Sequence, residues 1–217
     1  GVVAAIRGTS LWAAGAAFAV WMIGWWIVSY RLALFMQAQG VAMGTVEALE
    51  INLATLFYGL FLPGGNLAGI AVRFYRLSRA SGHYAAGLLA MASDRVTATA
   101  AISVVGIAFW MLDPHDKPPA ALAVLVLGAG IVVATLAPFA LSDQLRHHAR
   151  VLQTRGPVWL YAGLRHGWQA FEAIARLPAR TIALLLFLSC LAQLLGILAF
   201  EILARALGLS LSFVTLG

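Results

Sequence analysis

Apolar residues run through this chain in blocks of about 20, the length that carries a helix across the hydrocarbon of a bilayer, and polar residues gather in the gaps between them. Blocks free of a proline-glycine break lie at 8–29, 84–112, 120–141 and 181–206. A further block at 51–72 is broken by Pro63-Gly64-Gly65-Asn66. Proline removes a backbone donor and clashes with the turn before it, and glycine lifts the steric limits on the chain. In water such a stretch reads as a loop. Inside a membrane it reads as a broken or re-entrant element, which persists only where protein or a wet cavity satisfies its backbone. Two arrangements compete: one span kinked at Pro63, or two arms that dip in and return as a hairpin. Gly64, Gly65 and Gly69 following the proline favour a broken element over a kink. The expected fold class is all-α: a polytopic transmembrane helix bundle, a single domain over 1–217, with spans at about 8–29, 51–72 (broken), 84–112, 120–141 and 181–206.

Composition agrees with this pattern. Of 217 residues, 62% are hydrophobic and 10% charged, against about 25% charged in ordinary globular domains. The formal charge of +6 does not argue for nucleic acid. The basic residues sit between apolar blocks, where they set topology and meet anionic head groups, and no soluble segment interleaves them with aromatics. Cys190 is the only cysteine, so neither an internal disulfide nor a cysteine metal cluster is available. The chain opens on Gly1-Val2-Val3 rather than Met, and we expect a native start to have been trimmed.

The gaps carry the orientation. The loops 73–83 and 142–180 are rich in arginine, while 113–118, Asp113-Pro114-His115-Asp116-Lys117-Pro118, is net acidic. The positive-inside rule puts the first two in the cytoplasm and the third outside. The amino terminus with Arg7 is cytoplasmic if 51–72 crosses fully and external if it re-enters. Within 142–180, Trp159, Leu160, Leu164, Trp168 and Phe171 recur at spacings of three and four. This suits an interfacial amphipathic helix, or equally a helix packed beneath its neighbours. Tyr30-Arg31 closes the first span as an aromatic and cationic anchor.

Three places put charge where a bilayer makes it costly. Asp94-Arg95 lies about ten residues into its span, and each member needs a partner or a wet cavity there. Arg95 could offer its planar donor fork to a lipid phosphate; the blander reading is an ion pair with Arg73 or Glu201 that fixes packing. Glu201 and Arg205 stand at i, i+4 and pair along one helix face by default. Arg73, Arg76 and Arg79 are spaced one helical turn apart. They read either as a topology signal or as part of a head-group site, with the backbone amides of the broken element beside them. His147, His148 and His166 have no carboxylate or cysteine at metal-site spacing and read as surface residues. Ser93, Ser103 and Ser189 have no His/Asp constellation nearby, and no nucleophile elbow, Walker loop or dinucleotide fingerprint occurs. No catalytic centre, metal or cofactor is expected.

At these residues the chain resembles the transmembrane-region family of lysylphosphatidylglycerol synthases, bacterial integral membrane proteins that include lipid-flipping members. The match rests on Tyr30-Arg31-Leu32-Ala33-Leu34, on Phe57 to Arg73 with its Leu-Pro-Gly, on Asp94-Arg95, and on Leu203-Ala204-Arg205-Ala206-Leu207-Gly208-Leu209. The chain departs from the family where Gly69-Ile70-Ala71-Val72 holds no acid before Arg73, and the interval from Pro63 to Arg73 is about one residue longer than is usual in the family. Family members tend to carry more spans and a second proline-glycine segment, so this chain is expected to be a truncated or reduced form. None of the 217 residues is expected to form an aminoacyl-transferase domain, so the resemblance does not bring synthase activity with it. It implies a multi-pass protein of the bacterial cytoplasmic (inner) membrane. Such a protein would bind an anionic phospholipid or polyprenyl-linked head group and move it between leaflets. The expected site is Arg73, Arg95, Asp94, Gly64, Gly65 and Asn66, supported by Pro63, Gly69, Arg76, Glu201 and Arg205. Arg73 and Arg95 would hold the phosphate, and Asp94 and Glu201 would orient those arginines or compete for them. The alternatives are a non-transporting anchor or regulatory partner of a lipid-modifying enzyme, docked through 142–180, and a membrane-embedded lipid-linked glycosyltransferase. A homo-oligomer remains open.

Overall fold

The computed structural model describes residues 10–112, 127, 130 and 177–208, and among these the regular structure is helical throughout. Five helices are delimited: α1 (Leu11–Ala38), α2 (Thr45–Phe61), α3 (Asn66–Ser81), α4 (Tyr84–Leu112) and α5 (Ala179–Ala206). Three of them, α1, α4 and α5, are long and apolar enough to cross a membrane. Arg7, the loop 113–118, most of the expected span 120–141, and the amphipathic stretch of 142–180 lie outside the described residues.

The first helix is longer than the sequence pattern implied. It does not close at Tyr30-Arg31 but runs 28 residues to Ala38. Leu32, Ala33, Leu34, Phe35 and Met36 continue the apolar helix-forming run past the arginine, so nothing local stops it there. What does stop it is Gly40, at φ +79°. The Val41 N–H bonds the Met36 carbonyl at 3.0 Å and the Gly40 N–H bonds that of Gln37 at 2.9 Å. This crossed pair is the Schellman ending, in which a glycine takes the left-handed conformation that other residues resist. Gln37 fastens the loop further by donating its amide to the Met43 carbonyl at 2.9 Å.

The broken element resolves into two helices. α2 ends at Phe61, and Leu62 to Gly65 form a turn closed by the Gly65 N–H on the Leu62 carbonyl at 3.1 Å. Pro63 and Gly64 hold the two central positions. A turn that begins with proline and has a positive angle at its second central residue calls for glycine there, and Gly64 lies at φ +109°. α3 starts at Asn66 and packs back against α2. Gly69 makes that return possible. A Cβ added to it would lie 2.5 Å from the Thr55 carbonyl oxygen and 3.4 Å from the Gly59 Cα, so the two backbones meet with no room for a side chain. The segment is therefore a helical hairpin rather than a kinked rod. Its tip is apolar and uncovered, with Phe57, Leu60, Phe61 and Leu67 all exposed, while Glu47, Glu50, Arg76 and Arg79 are exposed at the open end.

The described chain divides into two compact units. One holds residues 29–97 with 177–185. Its core joins Leu32, Ala33 and Met36 of α1, Met43, Ala48 and Ile51 from the loop and α2, Leu77 of α3, and Ala90 and Met91 of α4. A second small cluster sets Phe35 against Leu185. Gly87 of α4 lies so near Ser78 of α3 that an added Cβ would sit 2.7 Å from the serine backbone nitrogen. The other unit holds 10–28, 98–112, 127, 130 and 186–208. Gly24 of α1 approaches Ala192 and Leu195 of α5 within it. In lipid, apolar burial gives helices little reason to associate, so close packing and interhelical polar contacts carry more of the association than in water.

Candidate functional site

The first unit contains a cluster of charge that draws on three helices. α4 presents Asp94, 3% exposed, ten residues from its start. α1 presents Arg31, also 3% exposed, and α3 presents Arg73 at 6%. Arg31 donates from both Nε and Nη2 to Oδ1 of Asp94, at 3.0 and 2.6 Å. Arg73 donates from Nη2 to the other oxygen, Oδ2, at 2.6 Å. One carboxylate thus takes two guanidinium groups, one on each oxygen, and the three side chains sum to one positive charge. Such contacts are the strong class of protein hydrogen bond, and removal from water leaves them poorly screened. The buried Nε of Arg73 has no acceptor among the described residues.

Local sequence explains how each group arrives there. On α3 the buried positions are Gly69, Arg73, Leu77 and Ser78. Gly69, Arg73 and Leu77 recur every four residues, which keeps them on one face. Arg73, Arg76 and Arg79 recur every three, a spacing that drifts about 60° backwards per step on a helix with 100° per residue. Arg76 and Arg79 accordingly come out exposed while Arg73 is buried, so the apparent ladder separates into one interior arginine and two surface ones. Asp94 and Arg95 separate in the same way. Arg95 is exposed, one residue and about 100° around α4 from the buried carboxylate.

Further polar groups are buried in the same unit. Asn52 of α2, 2% exposed, donates its amide to the Ser29 hydroxyl of α1 at 3.0 Å. The Thr97 hydroxyl shares its proton between the carbonyls of Ser93 and Asp94, at 2.9 and 3.1 Å. Ser29 lies just over half a turn before Arg31, so α1 contributes two polar groups to the interior of this unit. Of the expected site residues, the structure brings Arg73 and Asp94 into direct contact. Gly64, Gly65 and Asn66 form the hairpin tip and the start of α3, with Asn66 exposed. Glu201, in the other unit, is 6% exposed and pairs with Arg205 along α5, as the i, i+4 spacing suggests.

Arg31 is the participant that the sequence reading placed elsewhere. Its position near the end of an apolar block made it look like an interface anchor. The signal against that reading was the five apolar residues after it, which hold the guanidinium inside the helix rather than at its rim. Asn52 and Ser29 gave no motif at all, since a single polar residue in an apolar run is legible only once its partner helix is known.

A family model describing the lysylphosphatidylglycerol synthase TM region matches residues 1–217. The chain belongs to this family. It is an integral membrane protein with apolar helices, as the family and the three membrane-length helices both require. No curated protein and no solved structure matches it. Within this family member, the cluster of Arg31, Asp94 and Arg73 is the most heavily charged interior feature among the described residues. Two of its three members lie on membrane-length helices and the third on the hairpin.

Proposed function

We propose that this protein binds the phosphate-bearing head group of an anionic phospholipid or lipid-linked carrier and moves it between the leaflets of a bacterial inner membrane. The observation that carries the reading is the pair of guanidinium groups, from Arg31 and Arg73, held together on one buried carboxylate. Two cations and one anion in a poorly screened interior form an electropositive centre, and a phosphate is the anion that a membrane supplies in quantity. The hairpin supports the reading from another side. Its apolar tip suits hydrocarbon and its charged open end suits the head-group layer, so the element enters the membrane and returns to the same face. That topology places Arg73 about 12 Å in from the open end of the hairpin, at 1.5 Å per residue, a depth a head group reaches while its tails remain in lipid. Arg95, exposed on α4, meets the head group before it reaches the interior, and Arg76 and Arg79 attract it from the cytoplasmic surface.

The test is leaflet exchange of a labelled anionic phospholipid in vesicles reconstituted with the full chain. Arg73→Ala and Arg95→Ala should each lower exchange to the protein-free rate while the protein still elutes as a single folded species in detergent. Exchange at the wild-type rate in both variants would remove these residues from the pathway.

A further inference from the structure

The two arginines hold Asp94 unequally. Arg31 commits both donors of one edge, Nε and Nη2, to the carboxylate. Arg73 commits only Nη2, and its Nε is buried with no acceptor among the described residues. A guanidinium edge is built to serve two oxygens at once, as a carboxylate or a phosphodiester offers them. Arg73 is therefore half engaged, and Arg31 fully so.

From this asymmetry we infer that Asp94 is a built-in competitor for the head-group phosphate, and that Arg73 is the group that exchanges between the two. The inference rests on the reading of the cluster as a head-group site and assigns the parts within it. When a phosphodiester arrives, it offers two oxygens to the Nε and Nη2 edge of Arg73, a better match than the single oxygen of Asp94. Arg73 transfers to it. Asp94 is not stranded, because both contacts from Arg31 remain. When the lipid leaves, Asp94 takes Arg73 back, so the interior never holds a bare cation. Asp94 thus sets how tightly the head group is held and how readily it is released. Arg31 is a positioning residue that keeps Asp94 in place through the exchange. Arg73 belongs to α3, which is joined to α2 by the Gly69 approach. The link between the hairpin and α4 is then made when the site is empty and opened when it is filled.

Binding and exchange should split in opposite directions, which a purely structural role for Asp94 would not produce. The full chain in detergent is titrated with a short-chain phosphatidylglycerol, and separately with glycerophosphoglycerol, which carries the same phosphodiester without tails. Asp94→Asn keeps the side chain's size and removes its charge. It should bind the short-chain lipid about tenfold more tightly, the effect of losing one charge-assisted competitor contact, while leaflet exchange in vesicles slows. Arg73→Lys keeps one contact to Asp94 but loses the second donor of the edge, and should bind about tenfold more weakly with an unchanged melting temperature. Equal gains with both probes mark the phosphodiester alone as the ligand, and a gain confined to the lipid marks the whole phospholipid; either supports the inference. Loss of binding in Arg73→Ala with no gain in Asp94→Asn would overturn the competitor role and leave the proposed function standing. Wild-type binding in Arg73→Ala would overturn both. Should Asp94→Asn fail to fold, unchanged affinity in Arg73→Lys would be enough to reject the inference.

Discussion

Two ion-pair systems among the described residues are built on opposite principles. Glu201 and Arg205 sit four residues apart on one helix, and the arginine side chain is 71% exposed. Asp94 reaches partners 63 and 21 residues away, on two other helices, and all three side chains are at most 7% exposed. The first pair follows from helix geometry alone and would form in an isolated α5. The second exists only when α1, α3 and α4 are assembled, so it reports on tertiary structure and constrains it. Proximity in sequence makes a charge pair easy to form, whereas separation makes it informative.

The largest expected effect comes from removing the shared anion. Asp94→Ala leaves two guanidinium groups buried without their common partner, and breaking a buried pair in this way costs about 3–5 kcal/mol. Thermal unfolding in detergent should show a large loss of stability or no folded protein. A variant that melts with the wild type would mean that the arginines find other acceptors. Next is Gly69→Val, which places a branched side chain where even a Cβ would lie 2.5 Å from the Thr55 carbonyl. Overpacking of this kind costs about 1–3 kcal/mol. It should also force α2 and α3 apart, read as a lost disulfide between cysteines engineered at their contact face. Smallest is Arg205→Ala. The arginine end of this i, i+4 pair is 71% exposed and screened by solvent even though Glu201 is buried, and i, i+4 helix pairs contribute about 0.3–0.5 kcal/mol, so its melting curve should nearly overlay the wild type. A loss as large as that of Asp94→Ala would erase the distinction between the two systems.

Much of the fold was legible in the sequence because a bilayer imposes strong rules. The spans covering α1, α4 and α5 were marked by runs of apolar residues, and the break by Pro63-Gly64-Gly65, since few other conformations suit that triplet. The direction of the chain after the break was not legible, because it depends on Gly69 meeting the Thr55 carbonyl, a contact between residues that carry no shared motif. The candidate site was partly legible. Asp94 stood out because a carboxylate within an apolar run demands an explanation, and Arg73 because it follows the glycines. Arg31 did not, because the same residue at the end of a span and a turn inside it look alike in one dimension. The Gly40 helix ending decides between them, and it lies nine residues on, beyond the apolar block 8–29.

The order of the cluster along the chain has a consequence for how the protein is made. Synthesis runs from the amino end, and Arg31 and Arg73 both precede Asp94. Neither arm of the hairpin, at 17 and 16 residues, is long enough to be a membrane-crossing candidate by itself. When α4 leaves the ribosome, its carboxylate therefore meets two cations already present rather than waiting for them. The helix most burdened by an interior acid is the last of the three to be made, so its charge is never without a partner in the growing chain.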